Sequence, residues 1–175
     1  DPTVILGAIH PEWKTNFRAG KSKYFIIEAD EFNDNFLAYK PDLTVVTNIE
    51  MDHPEYFKDL NAYLDSFEKF LLQTKRAIVV NLSDKNAAEV IKWVMKTPRQ
   101  KYSDRDTFVQ YLDYSKNHLN LELKIPGKLN KLNALAALQV GLLLAISPEI
   151  IKKSLQSYTG IERRFEYLGT FKRAG

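Results

Sequence analysis

Two stretches decide how this chain folds: Tyr24-Phe25-Ile26-Ile27-Glu28-Ala29-Asp30-Glu31 and Leu43-Thr44-Val45-Val46-Thr47-Asn48-Ile49-Glu50-Met51-Asp52-His53. Each is a short apolar run, of the kind buried on both faces of a parallel sheet, that ends abruptly in charged residues. In open α/β sheets, ligands bind in the crevice at the carboxyl ends of the strands. Glu28 and His53 stand about one strand-loop-strand repeat apart. Adjacent parallel strands would therefore bring a carboxylate and an imidazole to one edge of the sheet, which points to a metal and phosphate site. Spacing alone leaves a competing explanation open, in which Glu28, Asp30 and Glu31 are turn residues or caps and His53 is structural.

Outward from this centre, Val4-Ile5-Leu6 reads as a first strand, followed by a polar loop through Pro11, Asn16 and Gly20. Leu60, Leu64, Phe67, Phe70 and Leu71 recur with a helical period over 59–73. Ala77-Ile78-Val79-Val80 is a further buried strand, and Ser83 or Asp84 caps a helix over 86–95. Residues 108–112 and 119–123 alternate like two short strands joined by the turn Ser115-Lys116-Asn117, which predicts a small antiparallel ribbon. After Pro126-Gly127 a long apolar helix begins near Asn130, and Ser147-Pro148-Glu149 opens another that ends before Gly160. The expected class is α/β, a mainly parallel sheet flanked by helices with a small antiparallel β ribbon.

Composition narrows the function. An apolar share of 45% with 27% charged residues belongs to an ordinary globular domain. The net charge of +3 is too small, and the lysines too scattered, to argue for nucleic acid or an anionic membrane. The chain has no cysteine, which excludes disulfides, thiolate metal sites and a cysteine nucleophile, and fits a cytoplasmic setting. No apolar run approaches a membrane span. The start at Asp1, without a methionine or signal peptide, reads as an excised piece.

Other residues could carry chemistry. Asn130 and Asn133 open the long helix on one face, where side-chain amides can read a base edge or a phosphate, or simply cap the helix. Arg163 and Arg164 follow Gly160 and suit bidentate phosphate contact, or form an ordinary surface pair. His10 and His118 lie in polar loops without a partner nearby. No glycine-rich Walker loop with its lysine occurs anywhere in the chain.

Taken together and in order, Ile27-Glu28-Ala29-Asp30-Glu31, Val46 through His53, Pro126-Gly127 with Asn130-Lys131-Leu132-Asn133-Ala134-Leu135-Ala136-Ala137, and Gly160-Ile161-Glu162-Arg163-Arg164-Phe165-Glu166 resemble the central ATP-binding domain of the Mur ligase family. The resemblance covers nearly the whole chain. It implies a P-loop NTPase-like fold truncated of its P-loop strand and helix, with a central domain over 1–160 and the start of the C-terminal ligase domain over 161–175. It also implies a cytoplasmic enzyme of peptidoglycan synthesis that uses ATP and Mg²⁺, with UDP-N-acetylmuramate and L-alanine as small-molecule substrates. Glu28 and His53 match the family's metal ligands and, with Arg164, its catalytic residues. Asn130 and Asn133 match its nucleotide-side asparagines. Leu129 stands where the family usually carries histidine. A ligase that reattaches recycled murein peptides, or a non-catalytic domain of the same fold, are the alternative readings. The piece on its own is expected to be inactive.

Overall fold

The structure is a computed structural model that describes residues 1–98, 108–117 and 120–162. Its strands form two three-stranded sheets. In the first, β1 (Thr3–His10) and β2 (Thr15–Arg18) make an antiparallel hairpin, and β3 (Phe25–Ile27) runs parallel to β1 with Val4 opposite Ile26. In the second, β4 (Leu43–Val46), β5 (Ala77–Val80) and β6 (Gln110–Asp113) are all parallel, in that order. The α/β class, with helices on a parallel sheet, is what the sequence pattern predicts.

The central strand β5 is buried at all four positions, as expected for a strand covered on both faces. Its side chains alternate accordingly. Ile78 and Val80 join a core with Val46, Leu64, Leu71, Val90 and Val94, supplied by α1 (Leu60–Leu72) and α2 (Lys85–Lys96). Val79 points the other way, to Tyr114, Leu135 and Ala136, so α3 (Lys128–Leu143) covers the opposite face. Asp59 caps α1 by accepting from the Ala62 N–H at 2.8 Å. Asp84 caps α2 through the Ala87 N–H at 2.8 Å, and the same oxygen accepts from the Ile49 N–H at 3.3 Å, tying the helix to the segment after β4. Ser147 and Pro148 open α4 (Pro148–Ser157) as the sequence predicts. A Cβ on Gly141 would lie 2.7 Å from the Ile151 Cδ1, so the glycine is what lets α3 and α4 cross this closely. No described helix is long and apolar enough to cross a membrane.

Two expectations need correction. The first is the place of the antiparallel ribbon. Residues 110–113 join the parallel sheet beside β5, 120–123 form no strand, and Leu119 lies outside the described residues. The antiparallel pair is β1–β2 instead. Every residue of β2 is exposed, so it carries no apolar run for a pattern to detect. The second is strand adjacency. The strands leading to Glu28 and His53 do not pair: β3 bonds to β1 and β4 to β5. Among the described residues no strand covers the outer edge of either, and Phe25 and Ile26 are 56% and 51% exposed.

What joins the two sheets is the segment after β3. Phe32–Ala38 forms short 3-10 turns whose Phe36 is 2% exposed, stacked on Phe70 of α1 at 4.6 Å and edge-on to Phe67 at 5.2 Å. At the other end of the described chain, the Glu162 N–H donates to the Ile9 carbonyl at 3.1 Å, and Lys14 pairs with the Glu162 carboxylate at 3.3 Å.

Two stability outcomes follow from this packing. Asp84→Ala removes the acceptor for two backbone N–H groups and should cost about 1–2 kcal/mol in urea unfolding, with the fold retained. The Tyr114 hydroxyl is buried without a hydrogen-bond partner among the described residues, and burial raises its pKa to about 12. Tyr114→Phe should therefore keep or raise stability, by up to about 1 kcal/mol; a loss of that size would show that the hydroxyl is bonded after all.

Candidate functional site

Glu28 follows β3 directly. Its N–H extends the ladder to the Ile5 carbonyl at 2.9 Å, and its Oε2 accepts from the Gly7 N–H at 2.8 Å. A Cβ on Gly7 would sit 3.1 Å from the Glu28 Oε1, a tight contact, so a side chain at position 7 would push the carboxylate slightly away from β1. The chain then crosses toward α1. Asp30 accepts from the Phe32 N–H and the Asn35 amide at 3.0 and 2.8 Å, a local turn typical of aspartate. Asn33 and Asp34 take positive φ angles of 54° and 58°. The surroundings hold that uncommon backbone in place: the Tyr56 hydroxyl donates to the Asp34 Oδ2 at 2.7 Å, and the Ser66 hydroxyl of α1 donates to its Oδ1.

The segment after β4 arrives from the other side. His53 also has a positive φ, 55°. Its N–H donates to the Asp52 Oδ1 at 2.8 Å, and its carbonyl accepts from the Tyr56 and Phe57 N–H groups at 2.9 and 3.0 Å, with Phe57 buried below. The imidazole lies between carboxylates. Nδ1 is 3.2 Å from the Glu55 Oε1 and Nε2 is 3.8 Å from the Glu31 Oε1. The Phe32 ring rests 4.8 Å from the imidazole, and the buried Tyr63 donates its hydroxyl to Glu31 at 3.2 Å. Donor atoms of Glu31, Asp52 and His53 all lie within 4.8 Å of one another.

The charges explain the titration of this group. The hydrogen bond that His53 donates to the Glu55 carboxylate raises its pKa, partial burial opposes the rise, and the charges of Asp52 and Glu31 add to it. Burial, with Glu31 beside it, pushes the Tyr63 phenol up as well. Two carboxylates and an imidazole around one point favour a cation there, a proton or a metal. The donor set is chiefly oxygen with one nitrogen, which suits a hard divalent ion such as Mg²⁺.

The residues singled out by sequence fall as follows. Glu28 follows β3 directly and His53 lies in the loop that follows β4, but the carboxylates grouped with the imidazole are Glu31 and Asp52. Asn130 lies in the first turn of α3 and donates its amide to the Pro126 carbonyl at 2.6 Å, while Asn133 is exposed nearby on that helix. Arg164 lies outside the described residues. Glu31, Asp52, Tyr63 and Asp34 received no role from spacing. Sequence neighbours do not ordinarily face one another, and only the left-handed backbone at His53 folds Asp52 back to it.

A parallel α/β sheet with acids and an imidazole gathered past its strand ends is the arrangement in which this class of protein binds ligands. The family model described as the Mur ligase middle domain matches residues 11–141. UDP-N-acetylmuramate–L-alanine ligases of Caldicellulosiruptor saccharolyticus and Acetivibrio thermocellus are 35% and 36% identical over 97% of this chain. The chain spans 41% and 40% of their lengths. The crystal structure of a UDP-N-acetylmuramate–alanine ligase from Thermotoga maritima matches 96% of this chain and 41% of its own with a TM-score of 0.73 at 24% identity, which bears on the fold. The chain belongs to the Mur ligase family.

Because the carboxylates raise the pKa of His53, folding favours the protonated ring. That contribution is full below the ordinary pKa of 6.5 and is lost as pH rises through the folded-state value. The urea midpoint of the wild type should therefore fall relative to that of His53→Gln as pH is raised across neutrality; parallel curves would contradict the assigned surroundings.

Proposed function

We propose that this chain is the central ATP-handling part of a cytoplasmic ligase that joins L-alanine to UDP-N-acetylmuramate in peptidoglycan synthesis. The observation that carries this reading is the family match over residues 11–141, together with named alanine ligases among the relatives. The clustered donors of Glu31, Asp52 and His53 support it chemically. Residues 1–160 are the central domain on this reading, and 161–175 begin the next one.

In the proposed reaction the γ-phosphoryl group of ATP passes to a muramoyl carboxylate oxygen as its bond to the β-phosphate oxygen breaks and ADP leaves. The alanine amine then attacks the acyl carbon, and the C–O bond to phosphate breaks as the amide forms. Glu28 and His53 are the proposed metal ligands, with Glu31 and Asp52 beside the imidazole. Bound Mg²⁺ would offset the charge that builds on the transferring phosphoryl group. The acids otherwise repel phosphate, so this end of the domain discriminates against an anion that arrives without its counter-cation. Asn130 and Asn133 are assigned to the nucleotide side, and Arg164 to the phosphates. The chain contains no glycine-rich loop with a lysine, so taken alone it is expected neither to hydrolyse ATP nor to ligate alanine.

The test is alanine-dependent phosphate release by the complete protein that carries this chain. Glu28→Ala and His53→Ala should each lower turnover about a hundredfold or more with folding intact. Near-normal turnover in both would refute the metal assignment, and phosphate release by this chain alone would refute its dependence on a loop from elsewhere.

A further inference from the structure

We propose that Glu55 is a positioning residue for His53: it holds the ring through Nδ1 and thereby leaves Nε2 as the electron-pair donor turned toward Glu31. The inference deepens the metal-site reading given above and rests on it for its purpose, though not for its test.

Three features fix the ring. The first is the backbone: His53 sits at φ 55° immediately before Pro54, a left-handed conformation uncommon for a residue other than glycine. Its carbonyl accepts from both Tyr56 and Phe57, which closes the turn and brings Glu55, two residues on, back to the imidazole. The second is Phe32, whose ring lies 4.8 Å away and limits rotation. The third is the carboxylate itself. A carboxylate only accepts, so the 3.2 Å contact between Glu55 and Nδ1 is favourable only when Nδ1 carries the proton. The 3.8 Å between Nε2 and Glu31 is too long for a hydrogen bond. Nε2 is therefore not held as a donor, and its lone pair faces a carboxylate across a gap that a cation would bridge. Neutral imidazole in water prefers the opposite form, with the proton on Nε2. Which nitrogen is free to ligate is set by the bond the other one makes.

The experiment is a long-range ¹H–¹⁵N correlation spectrum of the full chain with ¹⁵N-labelled histidine, recorded at alkaline pH where the ring is neutral. His53→Gln assigns the signals. The wild type should show the Nδ1–H form. Glu55→Ala should shift the population to Nε2–H, while Glu55→Gln, whose amide oxygen still accepts, should retain Nδ1–H. A wild-type ring in the Nε2–H form, or an unchanged spectrum in Glu55→Ala, would overturn the proposal. The readout needs neither metal nor nucleotide. Failure of the ligase reading would leave it standing, and its own failure would leave that reading untouched.

Discussion

The burial of Phe36 is the constraint on which the site depends. The strand that leads to Glu28 belongs to one sheet and the strand that leads to His53 to another, and the two do not bond to each other. Phe36 lies one short loop past Glu28, yet it packs into the core of the second sheet between Phe67 and Phe70 of α1. An aromatic side chain buried to this degree contributes on the order of 1.5–3 kcal/mol of apolar burial, more than any exposed ion pair in the site could supply. Apolar packing thus carries the acidic segment to the imidazole, and the polar contacts refine where each atom ends.

The site also concentrates backbone conformations that ordinary residues avoid. Asn33, Asp34 and His53 all sit at positive φ, and two of them are held by side chains: Asp34 by Tyr56 and Ser66, His53 by Asp52 and by the turn it caps. Such conformations persist only where the surroundings over-determine them. Here they turn acidic side chains toward one another, which like charges would not do unaided. The hydrogen bond to Glu55 is the main cause of the raised pKa of His53, and the neighbouring charges of Asp52 and Glu31 add to it.

Most of the fold was legible in the sequence because apolar runs and caps are local signals. β4 and β5 match the runs Leu43–Val46 and Ala77–Val80 residue for residue, and Asp84 and Ser147 cap the helices they precede. Pairing was less legible. Whether Gln110-Tyr111-Leu112-Asp113 joins a ribbon or the edge of a parallel sheet depends on residues far along the chain, and period-two alternation suits both. The site divides in the same way. Glu28 and His53 announce themselves by following strands, whereas Glu31 and Asp52 reach the imidazole through a chain crossing and a left-handed turn that no spacing rule encodes. Asn130 shows the limit from the other side, since its amide bonds to the neighbouring Pro126 carbonyl as a local turn residue would.

The hydrogen bond from the Glu162 N–H to the Ile9 carbonyl ties the last described residue back to the first strand. Ile9 lies on β1 two residues from Gly7, and the Gly7 amide is the donor that seats the Glu28 carboxylate. One strand therefore links the end of the described chain to that carboxylate, with a hydrogen bond at each step, Glu162 to Ile9 and Gly7 to Glu28.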